Sequence, residues 1–419
     1  MSSAADAERP DTAPLPDGAR DVLPVESAEL SSLESRLRDS YRAFGYREVR
    51  TPLLEFAEVM DAAQEGGLGR AFRLFDEHGE VLVVRPDLTI PVARLVAGRL
   101  ADHTGPVRVS YVAETLRPSR AGRAQRLEER QAGLELVGLP GPAADAEIVA
   151  ILVTALRAVG VDDLRVGLGD VSLTRAVLNG VGVADADQAR LRRAVSDLNL
   201  VAWRRAAEAL AIPDDVRAFV SGLPTMRGGR EVLTTLSERV PSATGACEGM
   251  RATLDLLDSY GAGDAVMVDL GVLRDWGYYS GIVVEAYAPG VGRPVALGGR
   301  YDGLIGRFGA SRPAVGATVL LDRLHEAIAA RNGVTVPAEG VVLAGGLDRE
   351  LATAAALRSA GVTVIGAPAE GQAAERLAEA DGWRFVARRA GARFAVTDRT
   401  TATTIECEDV EEAVRSPRS

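Results

Sequence analysis

A long helical stretch, from 172 to about 260, lies between two series of short strand-like runs, and that order limits the fold more than any other feature of the chain. The runs before it are 72–75, 81–84, 107–111, 132–137 and 164–168; those after it are 265–269, 281–286 and 295–297. Apolar runs of this length bounded by Gly, Pro and Asp read as strands. The chain therefore reads as a strand-built core, 15–331, that carries a helical insertion at about 172–262. Pro213, Pro224 and the pair Gly228-Gly229 punctuate the insertion. Upstream, Leu30, Leu33, Leu37, Tyr41 and Phe44 recur at steps of three and four, the spacing of an amphipathic helix that Gly45 ends. The extended segment 48–55 contains Pro52, which cannot donate to a ladder and so puts this segment at a sheet edge or kinks it. Asp76-Glu77-His78-Gly79 has the composition of a hairpin turn, and further helices are expected at about 144–158, closed by Gly160, and at about 320–330.

Beyond a short linker at 332–337 the rhythm changes. A strand at 341–343, a helix at 348–360, a strand at 361–365 and a further helical stretch read as a small α/β domain over 338–419. Residues 1–14 are rich in Ala, Asp and Pro, lack the apolar stretch of a signal peptide, and are expected to form a loose tail.

Composition narrows the chemistry. Lys+Arg 48 against Asp+Glu 59 gives a net charge of −11, which disfavours a broad nucleic-acid surface. Every basic residue is arginine, so no lysine is available as a Schiff-base former or phosphate ligand, and any phosphate or carboxylate must be met by guanidinium forks, backbone N–H groups or helix ends. With only Cys247, Cys407 and three scattered histidines, neither a disulfide scaffold nor a zinc site is expected. No metal and no cofactor are expected. No apolar run is long enough to span a bilayer, and a cytoplasmic protein is expected.

Nucleophile and P-loop signatures are missing from the sequence, and four other segments carry the interest. In Val84-Arg85-Pro86-Asp87-Leu88-Thr89, Asp87 could accept from an amine and Thr89 could orient it; the same residues also read as a turn that caps a helix. Gln131, Gly133 and Glu135 share one face of a strand by its period of two, presenting an amide, a gap and a carboxylate, with Arg117 leading in. That row suits a small zwitterion with a polar side chain, and reads equally as a solvated face. Arg274-Asp275-Trp276-Gly277-Tyr278-Tyr279 places two phenols where they could close a polar pocket or simply pack in a core. In Gly298-Gly299-Arg300-Tyr301-Asp302-Gly303-Leu304, paired glycines allow close approach of a ligand or another strand.

In order and spacing these segments resemble the core of the histidyl-tRNA synthetase family, over roughly residues 15–324. Phe44-Gly45-Tyr46 through Thr51-Pro52 looks like motif 1, the dimer-forming helix and strand, and Arg117 like the motif 2 arginine. The segment from Arg274 to Tyr279 is similar to the family's R-G-L-D-Y-Y, and Gly298 to Leu304 to its G-G-R-Y-D-G-L. The resemblance implies an α+β fold of the class II aminoacyl-tRNA synthetase type: an antiparallel sheet flanked by helices, with the helical insertion and the small C-terminal α/β domain. It also implies a histidine pocket made of Asp87, Thr89, Arg117, Gln131, Glu135, Arg274, Tyr278 and Tyr279. In it the ligand carboxylate would meet Arg117 or Arg274, the α-amine Asp87 with Thr89 and Gln131, and the imidazole Glu135 with Tyr278 or Tyr279.

Departures from the family pattern separate charging enzymes from their non-charging paralogues, the regulatory subunits of ATP phosphoribosyltransferase. The family's R-P-E-G-T is here Arg85-Pro86-Asp87-Leu88-Thr89. The carboxylate expected to hold the adenine amine is replaced by Ser119, and the aromatic expected to stack on adenine falls at Glu129. A leucine stands where motif 3 has a glycine before Asp322-Arg323, although Arg323 is kept. The acidic run Glu406-Cys407-Glu408-Asp409-Val410-Glu411-Glu412 is ill suited to gripping RNA. The resemblance thus implies a non-catalytic subunit required with a short-form catalytic ATP phosphoribosyltransferase in the first step of histidine biosynthesis, with histidine-tRNA ligase as the alternative. Implied with it are histidine as ligand, a homodimer within a hetero-oligomer, and no nucleic-acid or membrane partner.

Overall fold

The computed structural model describes residues 15–63, 71–118, 126–196, 199–272, 278–332, 338–345, 350–367 and 372–415. Ser119, the segment from Arg274 to Gly277, the tail 1–14 and residues 333–337 of the linker lie outside them. The chain divides into two compact units: one of Met1–Asp21 with Ser32–Asn332, the other of Val22–Ser31 with Gly333–Ser419.

Helix α1 runs Pro24–Ala43 and is followed by β1, Arg47–Glu48, and β2, Leu54–Phe56. Pro52 falls between β1 and β2, so the segment that sequence reads as one kinked or edge strand is divided between two sheets. Helix α2 (Ala57–Ala62), strands β3 (Arg73–Phe75) and β4 (Val81–Val84) and helix α3 (Thr89–Arg99) come next. The turn between β3 and β4 forms as its composition requires. Asp76 Oδ1 accepts from the backbone N–H groups of His78 and Glu80, each at 2.9 Å, and Gly79 takes φ +85°. Strands β2, β4 and β3 form a small antiparallel sheet in that order.

Strands β5 (Val107–Leu116) and β6 (Glu128–Val137) are longer than the runs expected from sequence; part of the arginine-rich connection is itself ladder. Then follow helix α4 (Pro142–Ala158), with Gly160 at φ +94° behind it, and β7 (Arg165–Asp170). The insertion is helical as expected: α5 (Val171–Gly180), α6 (Asp185–Ser196), α7 (Leu200–Glu208), α8 (Asp214–Gly222), the two-residue β8 (Arg227–Gly228), α9 (Arg230–Arg239) and α10 (Thr244–Ser259). Strands β9 (Val266–Asp269), β10 (Ile282–Tyr287), β11 (Ala296–Arg300) and β12 (Ala314–Leu320) complete the sheet, and α11 (Leu321–Asn332) ends the unit.

The main sheet has nine strands in the order β1-β5-β6-β12-β11-β10-β7-β9-β8. Its central ladders are antiparallel, while β1 with β5 and β7 with β9 are parallel. Strand β12 sits near its middle, yet the alanines and glycine of Ala314-Val315-Gly316-Ala317 carry little strand signal. Helix α1 is pinned to β6 by the buried Tyr41 hydroxyl, which donates to Ala132 O at 3.1 Å. Helix α4 is hydrophobic almost all round, burying Ile148, Ile151, Leu152 and Leu156, because it lies beneath the sheet.

The second unit holds a five-stranded sheet. Its strands are β13 (Ala338–Ala344), β14 (Thr363–Ala367), β15 (Trp383–Ala390), β16 (Arg393–Asp398) and β17 (Thr403–Cys407), in the order β14-β13-β15-β16-β17. Helices α12 (Leu351–Ser359), α13 (Ala373–Ala380) and α14 (Val410–Arg415) complete it. Its core gathers Val341, Leu343, Leu357, Phe385 and Phe394. Among the described residues no helix is long and apolar enough to cross a membrane.

Candidate functional site

Register across the main sheet builds the site. Gly133 of β6 pairs with Tyr111 of β5 and Thr318 of β12; two residues on, Glu135 pairs with Val109 and with Gly316, and Gly316 pairs with Gly299 of β11. Directly paired residues share a face, so Tyr111, Gly133, Glu135, Gly316 and Gly299 all point the same way. The glycines leave room there for the large side chains. A Cβ on Gly133 would overlap the Tyr111 ring, one on Gly316 the Glu135 carboxylate, and one on Gly299 would come within 2.6 Å of the Tyr279 ring.

Glu135 is 1% exposed and lies at the centre. It accepts hydrogen bonds from the Tyr111 hydroxyl, at 3.3 Å, and from the Tyr301 hydroxyl, and Thr89 also donates to it. Burial outweighs these donors and lifts its carboxyl to about 7. Burial likewise pushes the phenols of Tyr111, Tyr278 and Tyr301 well above the ordinary tyrosine range, and the Glu135 charge adds to this. Three phenols that stay protonated around one carboxylate form a donor-rich wall.

Asp87 sits in the turn before α3, where its Oδ1 accepts from the Ile90 N–H at 3.1 Å. It thus caps that helix while its charge acts on Tyr111, Tyr278 and Glu135. Tyr278 and Tyr279 stack at 4.6 Å between centroids, and Tyr278 meets the Tyr301 ring edge-on at 5.9 Å. Both partly pack on the core beside Tyr111 and Tyr301, so their packing and pocket roles coincide. Gln131, 4% exposed, lies one step beyond Gly133 on the same face, and its Nε2 donates to Glu129 Oε2 at 3.5 Å. Arg117 is exposed at the rim, with its Nε donating to Pro86 O at 2.7 Å.

The structure therefore brings Asp87, Thr89, Glu135, Tyr278 and Tyr279 close together, with Gln131 on the same sheet face and Arg117 beside Pro86; Arg274 lies outside the described residues. Two members escape sequence reasoning. Tyr301 lies inside the Gly298–Leu304 segment, which draws notice for its glycines, and Tyr111 has no local signal at all. Arg300 sets the position of Tyr301: its guanidinium is 7% exposed, donates to Asp145 Oδ1 at 2.8 Å, Asp302 Oδ1 at 2.9 Å and Gly141 O at 3.2 Å, and so fixes the preceding residue. Arg85, the arginine of the Arg85-Pro86-Asp87 turn, is structural: it is buried and donates to Thr51 O at 2.8 Å, Pro52 O at 3.1 Å and Glu114 O at 2.9 Å.

At the end of the sheet next to Gln131 the polar groups satisfy one another. Arg323 Nη2 donates to Glu129 Oε1 at 2.8 Å, and both side chains are 19% exposed. Arg323 Nη1 donates to Pro294 O at 3.1 Å. Asp322 is held by Arg20 at 2.9 Å, by Arg126 and by the Arg130 N–H at 3.3 Å. An incoming anion would have to displace Glu129 from Arg323, at the scale of a charge-assisted hydrogen bond, about 1.5–3 kcal/mol.

Comparison with known proteins agrees with this geometry. Residues 18–324 match the family model described as histidyl-tRNA synthetase. A protein of Moorella thermoacetica named ATP phosphoribosyltransferase regulatory subunit is 39% identical over 303 residues, 71% of this chain and 78% of that protein. One of the same name from Rubrobacter xylanophilus is 41% identical over 305 residues, 71% of this chain and 72% of that protein. Among solved structures, an ATP phosphoribosyltransferase regulatory subunit/histidyl-tRNA synthetase from Bacillus halodurans superposes with a TM-score of 0.78 at 29% identity, covering 91% of this chain and 100% of that one. A histidyl-tRNA synthetase from Nostoc sp. PCC 7120 shares the fold, with a TM-score of 0.81 at 21% identity over 96% of this chain and 98% of that one.

Proposed function

This chain belongs to the ATP phosphoribosyltransferase regulatory subunit family, built on the histidyl-tRNA synthetase fold, and we propose that it reports free histidine to its catalytic partner through the Glu135 pocket. The observation that carries this reading is the contrast between two neighbouring sites. Around Glu135 the acceptors and donors for an amino acid are kept: Asp87 and Thr89 for its amine and Glu135 with the tyrosines for its imidazole. One step away, Glu129 occupies the guanidinium of Arg323, where the resemblance places the nucleotide. The chain is a regulatory subunit, not the catalytic one, and it acts with a short-form catalytic ATP phosphoribosyltransferase in the first step of histidine biosynthesis, in the cytoplasm. A partner changes an enzyme's rate only by binding one of its conformations better, and histidine acts by changing that preference.

The test is reconstitution. Adding this chain to a weakly active short catalytic subunit should raise its turnover several-fold and make it respond to histidine, and the chain alone should give no histidine-dependent ATP–pyrophosphate exchange. Failure both to co-purify and to alter the rate would end the reading, as would strong exchange by the pure chain.

The assembly is a homodimer within a hetero-oligomer. Its support is the outward face of the small sheet, where Leu54, Phe56 and Leu74 are 41%, 46% and 45% exposed side by side. An apolar strand face of this kind is a contact surface rather than a solvent surface. Sedimentation should give twice the chain mass for the wild type, and Phe56→Asp should shift it toward the monomer. A reading without a nucleic-acid partner is supported by three arginines of the second unit that are paired internally: Arg384 with Asp398 at 3.0 Å, Arg389 with Glu350 at 2.6 Å, and Arg388 with Glu375.

A further inference from the structure

A second cleft lies on the same face of the main sheet. Glu285 of β10 pairs with Leu297, Leu297 with Thr318, and Thr318 with Gly133, so Glu285 faces the same way as Glu135. It lies three strands away, roughly 14 Å at the usual strand spacing. The cleft, of about 500 Å³, opens between this end of the sheet and the insertion helices, a volume typical of small-molecule sites. Leu200, 56% exposed, and Met267 supply apolar wall. Arg165, Arg227, Asp269 and Glu285 supply the charge.

No ion pair forms among these charges, although Asp269 stands opposite Arg227 across the β8–β9 ladder. Asp269 Oδ1 accepts from the Gly271 N–H at 2.8 Å, and Glu285 Oε2 accepts from the Tyr287 hydroxyl at 2.5 Å. Among the described residues neither Arg165 nor Arg227 makes an ion pair, although carboxylates outnumber arginines in the chain. Two guanidiniums that make no ion pair, in a cleft whose carboxylates accept from other donors and beside an apolar wall, favour an anion with an apolar body. Engaged carboxylates at the same wall are natural acceptors for sugar hydroxyls, the role an acidic residue takes against a ribose.

We propose that this cleft binds a nucleoside monophosphate or a similar phosphate ester, with the phosphate on Arg165 or Arg227, ribose hydroxyls on Asp269 or Glu285, and the base against Leu200 and Met267. Parallel pairing of β7 with β9, and pairing of β9 with β8, set the two arginines at opposite ends of β9. One therefore holds the phosphate while the other adds its field across the cleft.

Calorimetric titration with adenosine monophosphate, ribose 5-phosphate and inorganic phosphate tests the site in the full chain. Saturable one-to-one binding of adenosine monophosphate is expected. Ribose 5-phosphate binding as tightly would assign the site to sugar phosphates rather than nucleotides and still support the phosphate-ester class. The double variant Arg165→Gln/Arg227→Gln should weaken the binding at least tenfold without lowering the melting temperature, since both side chains are exposed and unpaired. Glu135→Gln should leave adenosine monophosphate binding unchanged while altering histidine binding, which separates this site from the one proposed above. Absence of saturable binding of either ester by the wild type, or equal affinity in the double variant, would overturn the proposal.

Discussion

Glu135→Gln is expected to weaken histidine binding by about 1–3 kcal/mol, roughly five- to 150-fold, and to stabilise the empty protein above neutral pH. The first effect is the loss of a charge-assisted hydrogen bond to the imidazole. The second follows from burial. The Glu135 carboxyl titrates near 4.5 when unperturbed and is lifted to about 7 in the fold. Between those values the folded chain keeps a proton that the unfolded chain has released, so stability falls as pH rises across the window and is level above it. At about 1.4 kcal/mol per unit the loss approaches about 3 kcal/mol by pH 8. Glutamine is neutral throughout and escapes it. Asp145 is also lifted, to about 6, by burial, but it is common to both proteins and cancels. Melting curves at pH 5 should nearly coincide, and at pH 8 the variant should melt higher. Unchanged histidine affinity together with identical pH dependence would remove Glu135 from the site.

Gly316→Ala should abolish histidine binding and destabilise the fold. The new methyl would overlap the Glu135 carboxylate and lie 2.7 Å from Leu134 O, and β12 is held by ladders on both sides, so the backbone has little freedom to retreat. Overpacking of this kind costs about 1–3 kcal/mol, and the displaced carboxylate loses its phenol donors as well. Gly303→Ala is the control: its methyl would meet nothing within 4 Å, and it should bind and melt like the wild type. Equal histidine affinity in the Gly316 variant would show that the carboxylate is not used where it stands.

These two positions also mark where sequence reading succeeds and where it stops. The row Gln131, Gly133, Glu135 follows from the period of a strand, and Asp87 and Thr89 from the turn before a helix. Tyr111 joins the pocket only because it faces Gly133 across the β5–β6 ladder, and register between strands is fixed by packing over the whole sheet. Strand β12 is hard to see for a related reason. Its Gly316 is small because the Glu135 side chain of the neighbouring strand needs the space, so the residue that makes room for the site also weakens the strand signal. The helical insertion is legible as a whole, with breaks at Pro213, Pro224 and Gly228-Gly229, but its separate helices are not.

The ion pair between Arg323 and Glu129 bears on what kind of signal the subunit transmits. A chain of this ancestry that still bound ATP would answer to two quantities at once, the supply of the end product and the energy status of the cell. With Glu129 as a built-in counter-anion, an adenylate would enter that subsite only by displacing a carboxylate from Arg323. Any response of the subunit to nucleotide then has to enter through another surface, so that end-product supply and energy status would be read at separate places on one chain.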